Sequence, residues 1–272
     1  MIFRTRRTTL ELSDAAGIMA VINLTPDSFY ADSRFAEDNA VVYAVKAMDS
    51  GAAIIDLGAQ STAPQSTPIT AEEEIRRLLT PLRAIREAVD IPISVDTYFP
   101  EVARVALENG ADIINDVSGT ASAEMASLAA QYDAGWIVMH TGGLRSNEER
   151  SRDTDIICEI NAFFYEALST AQQCGLPKEN ICFDPGIGFG KSREDDLRLI
   201  SGFSKINSFG CAKLAALSRK RVTGLCGDRL TGTVIANAAC IAGGANIIRV
   251  HDIEQALATT QMTKLLTEAK NG

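Results

Sequence analysis

The stretch "GADIIN", residues 110–115, is a glycine closing a helical pattern followed by a β-branched run, and "GAAIID" from 51 and "GANIIR" from 244 echo it. One junction repeated in this way marks a chain assembled from strand–helix units. Working outward from these anchors gives eight apolar strands: "IMAVIN" (18–23), "AIIDLG" (53–58), "PISVDT" (92–97), "DIINDV" (112–117), "WIVMH" (136–140), "ICFDP" (181–185), "AKLAALS" (212–218) and "NIIRVH" (246–251). Helical patterns separate and follow them at 38–50, 71–89, 99–109, 121–133, 154–174, 193–206, 231–243 and 252–269. Thr70 and Glu73 stand at capping-box spacing before the second, and Pro100 and Gly110 bracket the third. Strands apolar along their whole length are buried on both faces, as in a parallel sheet covered by helices. Eight such units predict a single-domain (β/α)8 TIM barrel over 17–272, with an N-terminal extension at 1–16.

Composition narrows the partners. With 46% hydrophobic and 22% charged residues the chain buries a large core, and its formal charge of −9 lacks the basic footprint of a nucleic-acid or anionic-membrane binder. An anionic ligand must then be held by a few local cations. The six cysteines form no CxxC pair and the two histidines offer no zinc-ligand spacing, which is the usage of reduced thiols in the cytoplasm. Arg4, Arg6 and Arg7 are followed by no apolar run, and no segment approaches a membrane span.

Chemistry in such a barrel sits at the C-terminal ends of the strands. Those ends form a polar series: Asn23; Asp56 with Gln60, Ser61 and Thr62 beyond it; Asp96; Asn115 and Asp116; His140; Asp184; Ser218, Arg219 and Lys220; Arg249 and His251. The series divides by charge. Asp96, Asn115 and Asp184 suit a flat heterocycle with ring N–H and amino donors, whereas Lys220, Arg249, His251 and Asn23 suit a phosphate or diphosphate. His140, Asp116 and Arg219 are the candidates for structural roles. The loop "FDPGIGFGKS" (183–192) misses the Walker A pattern, because Pro185 stands where its first glycine is needed, and misses GxGxxG because Gly190 comes one place early. What a loop with three glycines, a lysine and an aspartate holds is not given by either pattern.

The motifs "INLTPDSF" (22–29), "SVDT" (94–97), "GADIINDVSG" (110–119), "VMH" (138–140), "DPGIGFGK" (184–191), "SRK" (218–220) and "RVHD" (249–252), in this order, resemble the dihydropteroate synthase family from about Gly17 to the last helix. The resemblance implies condensation of a pterin diphosphate with p-aminobenzoate. It implies that Asp96, Asn115, Asp184 and Lys220 bind the pterin between Met139 and Phe189, that Ser218 and Lys220 border the p-aminobenzoate pocket, and that Thr62 touches substrate. Asn23, Arg249 and His251 would hold the diphosphate, with Mg²⁺ bridging Asn23 and phosphate oxygens. The catalytic set is then Lys220, Arg249, His251 and Asp96, and a homodimer through helices remote from the site is expected. In this reading the glycines of 186–190 keep the backbone low beside the ring, Asp184 accepts from the pterin, and Lys191 is a solvated or structural cation whose replacement is close to neutral for diphosphate binding.

Two loops depart from the family pattern. Where the family reads GGESTRPG, "GAQSTAPQ" (58–65) has Gln60 for the acid, Ala63 for the arginine and Gln65 for a glycine, and "SFYADSRF" (28–35) brings in Arg34. Arg34 either replaces the lost loop charge or is a surface cation. Weaker binding of p-aminobenzoate and of the sulfonamides that imitate it is the expected result. A pterin-binding paralogue with another acceptor, methyltransferase-like, or one with little turnover, is the alternative; the cations of "SRK" and "RVH" speak for a diphosphate.

Overall fold

The computed structural model describes residues 1–12, 15–24, 33–60, 67–142 and 154–271, with side chains at all of them except 33–38 and 271. Thr62, Ala63 and Gln65, and the Arg34 side chain, for which the sequence carries expectations, lie outside the described residues. Eight parallel strands close into a barrel: β3 (Gly17–Asn23), β4 (Ile54–Gly58), β5 (Ile93–Thr97), β6 (Ile113–Asp116), β7 (Gly135–Met139), β8 (Ile181–Asp184), β9 (Ala212–Ala216) and β10 (Ile247–Val250), with β10 pairing both β9 and β3. Helices α1 (Ser33–Asp49), α2 (Ala71–Ala88), α3 (Pro100–Glu108), α4 (Ala123–Gln131), α5 (Ile156–Gln173), α6 (Arg193–Ser201), α7 (Arg229–Ala242) and α8 (Ile253–Asn271) follow the strands in turn. Each strand lies within a residue or two of its sequence-based bounds. The (β/α)8 barrel expected from the repeats is the fold.

Alternation along the strands sorts the apolar residues into two cores. Ile18, Ala20, Ile55, Leu57, Ile114, Trp136 and Val138 point outward and pack under the helices. Met19, Ile54, Ile113, Ile137, Cys182, Leu214 and Ile247 fill the lower lumen. Because the side-chain period is two, the next inward positions are Asp56, Asn115, Met139, Asp184, Ala216 and Arg249. One step along β4, β6, β8 and β10 therefore turns an apolar floor into a polar mouth. Register fixes their neighbours across the sheet: Asp96 is the partner of Gly58 and Asn115, Met139 of Asp184, and Arg249 of Met19 and Ala216.

The sequence-based strands omit a hairpin. β1 (Ile2–Arg4) and β2 (Thr9–Glu11) pair antiparallel within the segment expected as an extension, and Phe3, fully buried, joins the lumen core from below. A side chain at Gly135 would meet the Phe3 ring at 2.8 Å, so the glycine leaves room for it. Arg4 pairs with Asp133 at 2.7 Å, and the buried Asp112 receives Arg7 at 3.3 Å and Arg86 at 3.0 Å. The three N-terminal arginines act here as ties: the third, Arg6, donates to the Leu107 carbonyl.

Helix ends are specified locally. The Thr70 hydroxyl accepts from Glu73 N at 3.3 Å, but the Glu73 carboxylate turns to Arg76 and Arg77 in place of closing a capping box. Ser192 and Asp195 do form one at the start of α6. Among the described residues no helix is long and apolar enough to cross a membrane, and all six cysteines are free.

Candidate active site

The mouth of the barrel is built around Arg249. Its Nε donates to Asp56 Oδ2 at 2.6 Å and its Nη2 to Asp96 Oδ2 at 2.7 Å. Asn115 Nδ2 reaches the two oxygens of Asp56 at 3.4 and 3.3 Å. Asp184, 3% exposed, accepts from Gly186 N at 2.7 Å. Three carboxylates thus face two cations, Arg249 and Lys220. Burial pushes both Asp96 and Asp184 above the usual carboxylate range, and the cations only partly oppose it. Such a pocket is short of hydrogen-bond donors, and a ligand edge rich in N–H groups supplies them.

Lys220 lies across from Asp184. Its Nζ donates to the Ile187 carbonyl at 2.5 Å and stands 4.3 Å from the centre of the Phe189 ring. Burial lowers its pKa to about 8 against the pull of Asp184. On the neighbouring strand end the Ser218 hydroxyl lies 2.9 Å from His251 Nδ1 and accepts the His251 backbone N–H at 3.2 Å. Since that oxygen accepts the backbone N–H, its own proton can go to Nδ1, and a neutral His251 ring then carries its proton on Nε2. Burial, followed by the Arg249 and Arg219 charges, lowers the His251 pKa, which favours that neutral ring.

The glycine loop now has a structural account. Gly186, Gly188 and Gly190 all have positive φ, 60°, 86° and 60°. A Cβ on Gly186 would lie 1.9 Å from the His140 carbonyl oxygen and one on Gly190 2.7 Å from Gly142 Cα, so the backbone turns tightly against the end of β7. Lys191 ties this turn together. It is 3% exposed, and its Nζ donates to the carbonyls of Gly186, His140 and Phe189 at 2.8, 3.2 and 3.2 Å. It is structural and not solvated, the second of the two roles expected for it: the His140 carbonyl accepts from it, and it is an added donor to the Gly186 and Phe189 carbonyls, which also accept from Phe189 N and Gly142 N.

Asn115, Asp96, Asp184, Met139, Phe189, Ser218, Lys220, Arg249 and His251 come together at the mouth as the strand ends implied, and Asn23 stands at its rim, where a Gly58 Cβ would be 3.7 Å from its Oδ1. Asp116 is elsewhere occupied, accepting from Ser118 N and Trp136 Nε1. Arg219 pairs with Asp252, and His140 lies 3.2 Å from Glu159. Three buried carboxylates were given no role from sequence. Asp56, fully buried, holds Arg249. Asp196 Oδ1 accepts from Gly188 N at 2.7 Å. Glu74 is 1% exposed with neither oxygen in hydrogen-bond geometry, and burial raises its pKa to about 7. Glu74 was legible: it falls in phase with Leu78, Leu82 and Ile85 on the buried face of α2.

A closed parallel barrel with a polar mouth defines a small-molecule enzyme of the (β/α)8 class. The pattern described as "Pterin binding enzyme" matches residues 19–251. A dihydropteroate synthase of Synechocystis is 39% identical over 246 residues, covering 87% of this chain and 85% of its own. The structure of the dihydropteroate synthase FolP of Clostridium difficile, determined in the presence of pteroic acid, superposes with a TM-score of 0.86 at 36% identity, covering 93% of this chain and 97% of that one. That of Thermus thermophilus in complex with 4-aminobenzoate gives 0.85 at 34%, covering 98% and 100%. The chain belongs to the pterin-binding enzymes and, among them, to the dihydropteroate synthase family.

Proposed function

We propose that this chain condenses 6-hydroxymethyl-7,8-dihydropterin diphosphate with p-aminobenzoate to give 7,8-dihydropteroate and diphosphate. The observation that carries the reading is one buried mouth in which Asp96, Asn115 and Asp184 stand with Arg249 and Lys220, the cations expected from the strand series as a separate half being set among the carboxylates. Asp184 and Asp96 accept from the amino and ring N–H groups of the pterin, and Asn115 offers an amide beside them. Lys220, held against the Phe189 face, donates to a ring acceptor. In the reaction the arylamine nitrogen attacks the methylene carbon as the C–O bond to diphosphate breaks, and the nitrogen then loses a proton. Positive charge builds on the pterin as the bond stretches, and the excess of carboxylates in the pocket stabilises it. Arg249 Nη1 and His251 Nε2–H are the donors assigned in this reading to the leaving diphosphate. No general base is assigned, because an arylamine is already nucleophilic and alignment of the reactants supplies much of the rate.

A magnesium ion suits the rim. The Asn23 amide oxygen lies beside Gly58, 3.7 Å from where a Cβ on that glycine would stand, and among the described residues no group of three His, Cys, Asp or Glu side chains is placed to hold a metal. An ion that keeps its waters and takes oxygen from substrate phosphates fits a single amide ligand. When bound it neutralises charge developing on the diphosphate.

The functional test is incubation with pterin diphosphate, p-aminobenzoate and Mg²⁺, reading dihydropteroate and free diphosphate. Absence of both products, with pterin still bound, moves the assignment to a binding paralogue. The chain is further proposed to form a homodimer through α7 and α8, where Ile235, Met262, Leu265 and Leu266 are 55 to 61% exposed. Sedimentation of Leu265→Asp as a monomer beside a dimeric parent tests that surface.

A further inference from the structure

The glycine loop encloses Lys220 on three sides. Ile187 offers its carbonyl at 2.5 Å, Phe189 its ring at 4.3 Å, and Gly188 its bare Cα, where a Cβ would stand 3.0 Å from Lys220 Cδ. One side chain from outside the loop holds the middle of that segment: Asp196, in the first turns of α6, whose Oδ1 accepts from Gly188 N at 2.7 Å. Asp196 is 1% exposed, and its second oxygen, Oδ2, is buried without a hydrogen-bond partner. Helix capping does not require it, since Ser192 and Asp195 complete the cap of α6. A buried carboxylate oxygen with no donor is costly unless a nearby charge compensates it.

We propose that Asp196 is a positioning residue for Lys220: one carboxylate oxygen pins the loop that encloses the lysine, and the other provides a buried negative charge that keeps the lysine protonated. Electrostatics runs the same way from both partners. Burial lowers Lys220 to about 8; Asp184, Asp196 and Asp96 oppose that lowering while Arg249 adds to it. Burial raises Asp196, and after its bond to Gly188 N the opposing charges are Lys220, Lys191 and Arg221. These are the charged groups facing the pair from β5, β8, β10, the glycine loop and the turn before α7. A carboxyl-to-amide change at 196 separates the two roles, because an amide still offers Gly188 an acceptor and carries no charge.

The inference rests on the assignment of Lys220 to the pterin, so the test reads the lysine directly as well as turnover. In protein labelled with ¹⁵N-lysine, the Lys220 Nζ resonance, assigned by its loss in Lys220→Arg, is titrated in the parent and in Asp196→Asn. The midpoint is expected to fall by about one pH unit in the variant. The alkaline limb of kcat/KM, which reports the free enzyme, is expected to move down with it, with the melting temperature little changed. Asp196→Ala is expected to raise KM for the pterin substrate about tenfold or more through loss of the loop anchor, and Asp196→Asn is expected to restore it. An unmoved Nζ midpoint in Asp196→Asn overturns the proposal, as does an equal loss in both variants that follows only the melting temperature. A shifted midpoint with an unshifted kcat/KM limb leaves the Asp196–Lys220 coupling standing and removes Lys220 from the pterin.

Discussion

Asp184 shows how far one side chain can be read. Its place at the end of an apolar run marks it as part of a polar mouth, and its 2.7 Å bond from Gly186 N accounts for one oxygen, Oδ1. Asp184→Asn keeps the shape, removes the charge and puts a donor where the pterin also donates. Pterin affinity, measured by calorimetry, is expected to weaken by about 1–3 kcal/mol; equal affinity in the two proteins removes Asp184 from the pterin site. Glu74 belongs to the same scale but carries the opposite sign. Its folded pKa of about 7 lies above the ordinary 4.5, so its contribution to stability is complete below pH 4.5 and is lost as pH rises through 7. That loss is about 3 kcal/mol for a side chain this deeply buried. Glu74→Gln is expected to raise the melting temperature at pH 8 and to change it little at pH 5, with chemical denaturation at the two pH values giving the difference.

At the level of elements, strands were more legible than loops for a physical reason. A strand buried on both faces advertises itself as an unbroken apolar run, and the polar residue that ends it announces which end carries chemistry. The glycine loop advertises only its flexibility. Three glycines and a lysine are compatible with a phosphate cradle, and it is the contacts of Lys191 with three carbonyls, one of them on the residue just past β7, that show the lysine facing into the protein. Contacts of that kind depend on tertiary placement and leave no spacing in the sequence. Lys191→Met is expected to destabilise the fold by about 1–3 kcal/mol, because it removes a buried tie between the loop and the end of β7 and takes a donor from the His140 carbonyl, while urea unfolding of Lys270→Met, on the exposed end of α8, matches the parent. A Lys191→Met protein as stable as the parent, but unable to bind diphosphate, returns the loop to phosphate binding. The N-terminal hairpin escaped for a different reason: three-residue strands fall below the length at which alternation can be distinguished from chance.

For the molecule as a whole, the same period-two step that makes the floor apolar makes the mouth polar, so stability and chemistry are divided along the barrel axis. Phe3, Met19 and Ile113 belong to the apolar cluster that fills the lower half. What the strand series could not convey is the pairing inside the mouth. Arg249 is an anion-binding residue by type, yet two of its nitrogens are committed to Asp56 and Asp96, and only the spatial closure of the barrel brings these residues together.

That closure has a kinetic consequence. The bonds from Arg249 to Asp56 and Asp96 span 193 and 153 residues of chain, and they join the last strand to the second and third strands of the ring. Contacts so distant in sequence form late, after the loop entropy of nearly the entire polypeptide has been overcome. A collapsed, helix-rich species can therefore exist with most of its secondary structure in place and no ligand site. In a refolding experiment started by diluting denaturant, far-ultraviolet ellipticity is expected to return ahead of pterin binding, with the ligand signal following the slowest phase. Coincident recovery of the two signals at every final denaturant concentration would show that the ring closes in the same step that forms its helices.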